Sequence, residues 1–244
     1  MLALALAVAI VLPPVDVPAD YQLGGPYTPA PGVGIVVRDW RETPSPGSYG
    51  ICYVNAFQTQ PEQRRWWRRH HPDLVLRERG AAVSDPGWPG EWLLDTRTPQ
   101  HRSRIAAIVG RWIGGCAQAG FQAVEADNLD SWTHSGGLLA RSDNVALARQ
   151  LAHFAHRHGL AFGQKNAASV VGIRFFDFAV VEECQRYDEC GRFQSRYGRA
   201  VIEIEYRRRD FARACRERGD RITVVWRDRL LRPALHPDHR FGTC

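Results

Sequence analysis

Glu125 and Asp127 stand one residue apart inside the stretch Val124-Glu125-Ala126-Asp127-Asn128-Leu129-Asp130. The stretch follows Gly120-Phe121, which reads as the end of a helix and the start of a short apolar strand. Alternation along a strand sends Val124, Ala126 and Asn128 to one face and Glu125, Asp127 and Leu129 to the other. Two carboxylates then share a face at a strand end, with Asp130 just beyond. Like charges that close raise one another's pKa, so one carboxyl keeps its proton while its neighbour ionises. That is the equipment of general acid and base chemistry. A strand end that merely dips into solvent is the plainer alternative.

A second residue stands out by its rarity. Lys165 is the one lysine, so 31 of the 32 Lys and Arg residues are arginine. A compact, tunable ammonium is what arginine cannot imitate. Two readings stay open: a salt bridge holding a strand-end carboxylate, or a cation that keeps Asp127 ionised. His134 and the aspartates near it lack the His-x-x-x-His spacing of a metal site.

These residues need a scaffold. Short apolar strands separated by helices argue for parallel βα units. Strand-like stretches run at 20–23, 34–39, 50–56, 91–95, the opening heptad, 160–166, 176–183, 200–206 and 221–228. Helices are expected from Pro61, over 99–119 with a stripe of Ile105, Ile108, Val109, Trp112 and Cys116, from an N-cap at Ser142 to Gly159, and over 210–218. The chain of 244 residues is near the roughly 250 typical of a (β/α)8 barrel. No glycine-rich phosphate turn follows the first strand, which disfavours an open doubly wound sheet. The expected fold is an α/β (β/α)8 TIM barrel, a single domain with one extra short N-terminal strand.

In a barrel the strand ends converge on one face. Here they read Gln22, Asp39, Asn55, Asp95, Asp127/Asn128, Lys165/Asn166, Glu182/Glu183, Glu205/Tyr206 and Asp228. Tyr53 and Trp226 add aromatic surface near two of those ends. Carboxylates and amides hydrogen-bond sugar hydroxyls and amines, aromatic rings cover pyranose faces, and glycosidic cleavage needs two carboxyl groups.

The net charge is +6, with 44% hydrophobic and 24% charged residues, the composition of an ordinary globular protein. The patch Arg64-Arg65-Trp66-Trp67-Arg68-Arg69-His70-His71 interleaves aromatics with cations, but it reads as a solvated helix face with Trp packed inward. Six cysteines suit an oxidising compartment. Cys184 and Cys190 are close enough to clip one loop, and Cys52 equally suits a buried free thiol. The apolar run from Met1 to Leu12 is too short to span a bilayer and has the length of a signal-peptide core without its charged leading segment. Residues 1–19 are expected to be a leader and residues 20–244 the barrel, of a secreted protein.

Tyr21-Gln22-Leu23, Cys52-Tyr53, Trp88-Pro89-Gly90-Glu91-Trp92-Leu93-Leu94-Asp95, residues 120–130, Lys165-Asn166, residues 176–184 with Cys190, and Val201 through Tyr206 resemble glycoside-hydrolase family 114. That is the endo-α-1,4-polygalactosaminidase family of TIM barrels, and the likeness runs in order from Tyr21 over nearly the whole chain. The resemblance implies a secreted, metal-free and cofactor-free hydrolase of galactosamine-containing polysaccharide acting with retention. It implies Asp127 as nucleophile and Glu182 as general acid/base, with Glu125, Asp130, Lys165, Asn166, Asp95 and Glu205 lining the donor subsite. Gln22, Asp39, Tyr53, Asn128, Tyr206 and Trp226 complete the expected sugar-binding set. The family has Pro where Ala126 stands, Glu-Gln where Glu182-Glu183 stands, and a glycine near Ala56-Phe57-Gln58, so substrate preference is open to change.

The expected partner is a polysaccharide, with no nucleic acid, no stable membrane insertion and a monomeric chain. A +6 protein suits a cationic polymer only if acidic strand ends sit in the cleft and arginines cover the outer helices. The rivals are a catalytically silent carbohydrate-binding barrel, a glycosidase for another α-linked polymer, and a polyanion binder whose affinity would fall steeply with salt.

Overall fold

The computed structural model describes residues 9–244; the first eight residues of the apolar N-terminal run, where the leader is expected, lie outside the described residues. The main sheet holds nine strands in the order β1-β2-β3-β6-β7-β8-β9-β10-β11. They are β1 (Ala19–Tyr21), β2 (Ile35–Asp39), β3 (Tyr49–Asn55), β6 (Ala123–Asp127), β7 (Ala161–Lys165), β8 (Phe178–Glu182), β9 (Val201–Glu205), β10 (Thr223–Arg227) and β11 (Phe241–Thr243). The first eight are mutually parallel and curl into a nearly closed barrel, while β11 pairs antiparallel with β10. The supernumerary strand is therefore C-terminal, and β1 is the first of the eight.

Period-two alternation sorts the strand residues into two cores. Ile35, Val37, Ile51, Ala123, Ala161, Phe178, Val180, Ile202, Ile204 and Val225 fill the barrel interior. Cys52, Val54, Val124, Ala126, Phe162, Ala179, Val181, Val201 and Val224 face outward under the helices. Those helices are α1 (Arg64–His70), α2 (Pro99–Ala119), α3 (Arg141–Arg157), α4 (Cys184–Tyr187), α5 (Cys190–Tyr197) and α6 (Arg208–Arg218). Helix α2 forms where its stripe predicts. The Thr98 hydroxyl caps its first turn by accepting from the His101 N–H at 3.1 Å, and Gly120 (φ 96°) ends it. Helix α3 begins at Arg141 instead of after Ser142, because the Asp143 carboxylate takes up the Ala140 N–H. On α1, Trp67 is buried as expected, but Trp66 is exposed against Trp67 and the histidines beside it.

The stretch 91–95 is not a barrel strand. Its backbone pairs singly, Leu93 with Gln58, Leu94 with Val75 and Trp92 with Ser84, beside a small hairpin of β4 (Arg77–Glu78) and β5 (Ala81–Ala82). This forms an outer layer on the connection between β3 and α2.

Neither β1 to β2 nor β2 to β3 is linked by a helix, and a buried polar network covers that side instead. Arg38 donates to Gln22 at 3.0 Å and to the Tyr27 and Thr43 carbonyls. Arg227, fully buried, donates to Asp20 at 2.9 Å and to the Tyr21 carbonyl across the seam between β10 and β1. Three disulfides join Cys52 to Cys116, Cys184 to Cys190 and Cys215 to Cys244. Cys52 is thus not a free thiol; it ties β3 to α2.

Candidate active site

Three neighbouring strands carry the chemistry on their inward parity: Glu125 and Asp127 on β6, Lys165 on β7 and Glu182 on β8. Two residues before Lys165, Gly163 has no side chain because a Cβ there would meet the Phe178 ring at 2.6 Å. The ring fills the level below the ammonium. Each strand then ends on a left-handed residue, Asn128 (φ 62°), Asn166 (φ 46°) and Glu183 (φ 53°). Asparagine accepts that conformation readily, whereas at Glu183 it costs on the order of 1–3 kcal/mol, a strain typical of functional sites. The turns aim polar groups back at the carboxylates. The Asn128 N–H donates to Asp127 Oδ1 at 2.8 Å. Asn166 clasps Glu182, its Nδ2 donating to Oε2 at 3.1 Å and its Oδ1 accepting the Glu182 N–H at 2.8 Å.

Lys165 is the hub and only 2% exposed. Its Nζ lies 2.8 Å from Glu125 Oε1, 3.2 Å from Asp127 Oδ1, 3.2 Å from Glu182 Oε2 and 2.9 Å from the Tyr21 hydroxyl. Burial alone would strip its proton, but Asp127, Glu125 and Glu182 hold the pKa well above the ordinary lysine value. One buried ammonium thus serves three carboxyl groups. Burial pushes the Glu125 carboxyl up to about 7 despite the pull of Lys165, and the Tyr21 hydroxyl donates to it at 2.6 Å. The other two carboxylates are fully engaged. Tyr53 donates to Asp127 Oδ2 at 2.7 Å, and Tyr206 donates to Glu182 Oε1.

Above them opens a cleft of about 500 Å³. Eight carboxylates line it, Asp39, Glu62, Asp85, Glu91, Asp127, Asp130, Glu182 and Glu183, against Arg41, Lys165, Arg229 and His134. The lining is acidic although the chain carries a net +6. Glu91 hangs from the outer layer into this space. Its Oε2 accepts from Asn55 at 2.8 Å and from Asn128 at 3.3 Å, and burial pushes its carboxyl up to about 7. Trp88 and Tyr187 stand at the mouth, 42% and 58% exposed.

Of the residues expected from sequence, Asp39, Tyr53, Asp127, Asn128, Asp130, Lys165, Asn166, Glu182 and Tyr206 line the cleft. Glu125 lies beneath it and reaches only Lys165 and Tyr21. Leu129 does not share the carboxylate face, because the turn at Asn128 sends it into the outer core.

Four expectations need correction. Gln22 has the outward parity of β1 and joins the Arg38 network. Glu205 has the outward parity of β9, where its Oε1 accepts the Gln185 N–H at 3.0 Å beneath α4. Trp226 faces outward on β10 and stacks on Phe211 at 6.3 Å. Asp95 belongs to the outer layer, where it is buried yet held below the usual carboxylate range by Arg97, at 2.7 Å. Tyr21, Glu91, Trp88 and Tyr187 were missing from the expected sugar-binding set, and Glu183 stood only among the strand ends. Tyr21 was findable from parity, being one residue from Gln22 on the face shared with Val37 and Ile51. Glu91 was not, because its reach depends on a loop folded against distant segments.

Cys184, Cys190 and Glu203 approach one another, but the two sulfurs are bonded together and leave no thiolate for a metal.

A profile of glycoside-hydrolase family GH114 matches residues 3–244. The chain belongs to this family. It is a glycoside hydrolase, and the resemblance read from its motifs stands. Among solved structures, Ega3 from Aspergillus fumigatus in complex with galactosamine has 21% sequence identity and a TM-score of 0.76, covering 97% of this chain and 98% of that chain. The glycoside hydrolase domain of PelA from Pseudomonas aeruginosa has 17% identity and a TM-score of 0.61, covering 89% of this chain and 96% of that chain. At such identities the likeness shows the fold. No curated protein matches the chain.

Proposed function

We propose that the chain is a secreted, monomeric endo-glycosidase that cleaves α-1,4-linked galactosamine-containing polysaccharide with retention, using Asp127 as nucleophile and Glu182 as general acid/base. The observation that carries this reading is the shared ammonium. Asp127 Oδ1 and Glu182 Oε2 each lie 3.2 Å from Lys165 Nζ, so these oxygens cannot be further apart than twice that distance. That favours the separation of about 5–5.5 Å found in retaining enzymes over the 6.5–9.5 Å of inverting ones.

The roles follow from the surroundings. Asp127 takes a backbone N–H, an ammonium and a phenol, a set suited to a fixed anion that attacks the anomeric carbon. Glu182 has the more exposed side chain, 24% against 16%. From there it gives its proton to the leaving oxygen and later takes one from water. As the covalent intermediate forms and breaks, Lys165 offsets charge on both carboxyl groups without moving.

The acidic cleft supports a cationic polymer despite the net positive charge: eight carboxylates line it, and the arginines of α1 lie outside it. The galactosamine of the Ega3 complex fits that chemistry. The exposed rings of Trp88 and Tyr187 suit a long chain crossing the mouth. Three disulfides support an oxidising compartment. A leader within residues 1–19 is part of this reading; Val17 and Pro18 already pair with the barrel, their carbonyls accepting from Thr223 and from the Gly34 N–H. Among the described residues no helix is long and apolar enough to cross a membrane.

The test is reducing-end release from partly deacetylated galactosaminogalactan. The wild type should cut, Asp127→Asn should lose about 10⁴-fold or more, and Glu182→Gln about 10²–10⁴-fold. A wild type that binds the polymer without cutting it would favour the silent carbohydrate-binding barrel.

A further inference from the structure

Helix α1 buries Trp67 and leaves Trp66 36% exposed. The exposed indole is not loose. T-shaped contacts hold it against Trp67 and His71, with ring centroids 5.2 and 4.9 Å apart. Trp67 in turn meets Trp112 of α2 at 6.0 Å, and Trp112 stacks on Trp40 at 5.0 Å. A wall of packed rings thus presents one indole to water.

Positive charge surrounds that indole. Arg65, Arg68, Arg69 and His70 are exposed on α1, and Arg111 is exposed on α2. Burial, then the charge of Arg104, holds the His71 pKa below the ordinary histidine value, and Arg111 adds to the same field. Among the described residues, Arg65, Arg68, Arg69 and Arg111 enter no ion pair, because the acids flanking α1 are engaged elsewhere, Glu62 by Arg41 at 4.0 Å and Asp73 by Arg104. Helix α6 is also rich in arginine but pairs it within the fold: Arg209 with Asp210, Arg213 with Glu217 and Arg218 with Glu203. Helix α1 contains no acid at all. Its pairs Arg64–Arg68 and Arg65–Arg69 stand four residues apart, a spacing at which like charges weaken a helix and a bound polyanion would relieve them.

The surroundings of Trp66 suit a ring that carries its own negative charge. An indole covers a pyranose face, and guanidinium groups grip carboxylates in two-pronged pairs. Arg69 and His70, three and four residues after Trp66, share its helix face. Binders of single-stranded nucleic acid instead combine a groove that tracks the backbone with a series of stacking rings, whereas α1 exposes one ring on a helix surface.

We propose that Trp66 with Arg65, Arg68, Arg69 and Arg111 forms a second, non-catalytic surface that binds a uronate-bearing polysaccharide. It begins at the rim of the cleft, because Gln60, Pro61 and Glu62 line that cleft and the chain passes from them through one 3-10 turn into α1. The surface holds the chain on an acidic polymer and leaves the cleft open. It does not depend on which bond the cleft cuts, nor on whether it cuts one.

The test is calorimetric titration of the purified chain with polygalacturonate, with dextran and oligothymidylate as comparisons. The wild type should bind polygalacturonate with an affinity that falls between about 50 and 300 mM salt, and should leave dextran unbound. Arg65→Gln/Arg68→Gln/Arg69→Gln should weaken binding about 10- to 100-fold and flatten its salt dependence. Trp66→Ala should weaken it about 3- to 10-fold with the salt dependence unchanged, since stacking carries no charge. Arg79→Gln/Arg192→Gln/Arg216→Gln removes the same charge from exposed positions elsewhere and should bind like the wild type. Thermal unfolding of each variant checks the fold. If the α1 variants are unstable, Arg111→Gln on the 21-residue α2 keeps the test informative, with an expected loss of about threefold. A wild type that does not bind polygalacturonate would overturn the surface, as would an equal loss in the charge-matched variant. Oligothymidylate bound as tightly as polygalacturonate would overturn the choice of an acidic polysaccharide, and an unchanged affinity in Trp66→Ala would remove the indole from the site.

Discussion

The molecule gathers carboxylates around two buried cations, and only one of the two clusters faces a cleft. Inside the barrel, Glu125, Asp127 and Glu182 surround Lys165. Outside it, on neighbouring β9, Glu203 and Glu205 lie fully buried under α4 and α6 with Arg218. Arg218 holds Glu203 in a two-pronged pair at 2.8 and 2.9 Å and reaches Gln185 and Glu217 as well. The planar guanidinium fixes one carboxylate in one geometry. The small ammonium of Lys165 lets three carboxyl oxygens approach a single nitrogen from different strands. Parity and the choice of cation, rather than the number of acids, separate the cleft-facing constellation from the one buried under the helices.

The sharpest way to break this comparison is to remove each cation. Lys165→Met should leave three carboxyl groups without a counter-charge, costing about 3–5 kcal/mol of stability, and abolish measurable turnover. Arg218→Met should cost a similar amount but leave kcat within a few-fold of the wild type. Paired denaturant titrations and initial rates decide it, and a dead Arg218 variant with normal stability would erase the distinction.

A pH titration separates the clusters next. Burial, with Glu203 adding to it, pushes the Glu205 carboxyl up to about 8, above its ordinary value of 4.5. The native chain therefore holds a proton that the unfolded chain releases. Stability from this group is complete below about pH 4.5 and is lost as pH rises through about 8. Glu205→Gln should flatten the decline in Tm between pH 5 and 8 without moving the pH optimum of cleavage. An unchanged slope would mean that the proton sits elsewhere.

The smallest contrast lies within one face and its reverse. Tyr206→Phe deletes the phenol on Glu182 and should lower kcat about tenfold, the loss of one hydrogen bond to a charged group. Trp226→Phe, on the outward face of β10, should change neither kcat nor KM by more than about twofold. A twofold limit exceeded by Trp226 would place it closer to substrate than its stacking on Phe211 allows.

Much of the barrel was legible because local signals agreed with the global fold. Helix α2 announced itself by its stripe, its start at Pro99 and Gly120. The strands β6, β7 and β8 carried apolar residues at both parities, so their boundaries were clear. The errors came where locality ends. Listing strand-end residues without fixing their parity admitted Gln22, Glu205 and Trp226. The alternation of Ile202 and Ile204 with Glu203 would have sent Glu205 outward and kept Tyr206. The run Trp92-Leu93-Leu94 reads as a strand by composition, but its partners are single residues 8 to 35 positions away, which no local pattern encodes. Glu91 entered the cleft through that same layer. The pairing of Cys52 with Cys116 was likewise open, since 64 residues separate them.

The account stands most directly on Asp127 and Glu182 acting as a retaining pair. Proton NMR of the anomeric signal in the first product released from α-1,4-linked polygalactosamine, recorded before mutarotation, measures this in the wild type. The shared position on Lys165 predicts that the α-anomer appears first and the β-anomer grows in later. A first product in the β-configuration would mean that water attacks directly, and Asp127 would no longer be the nucleophile.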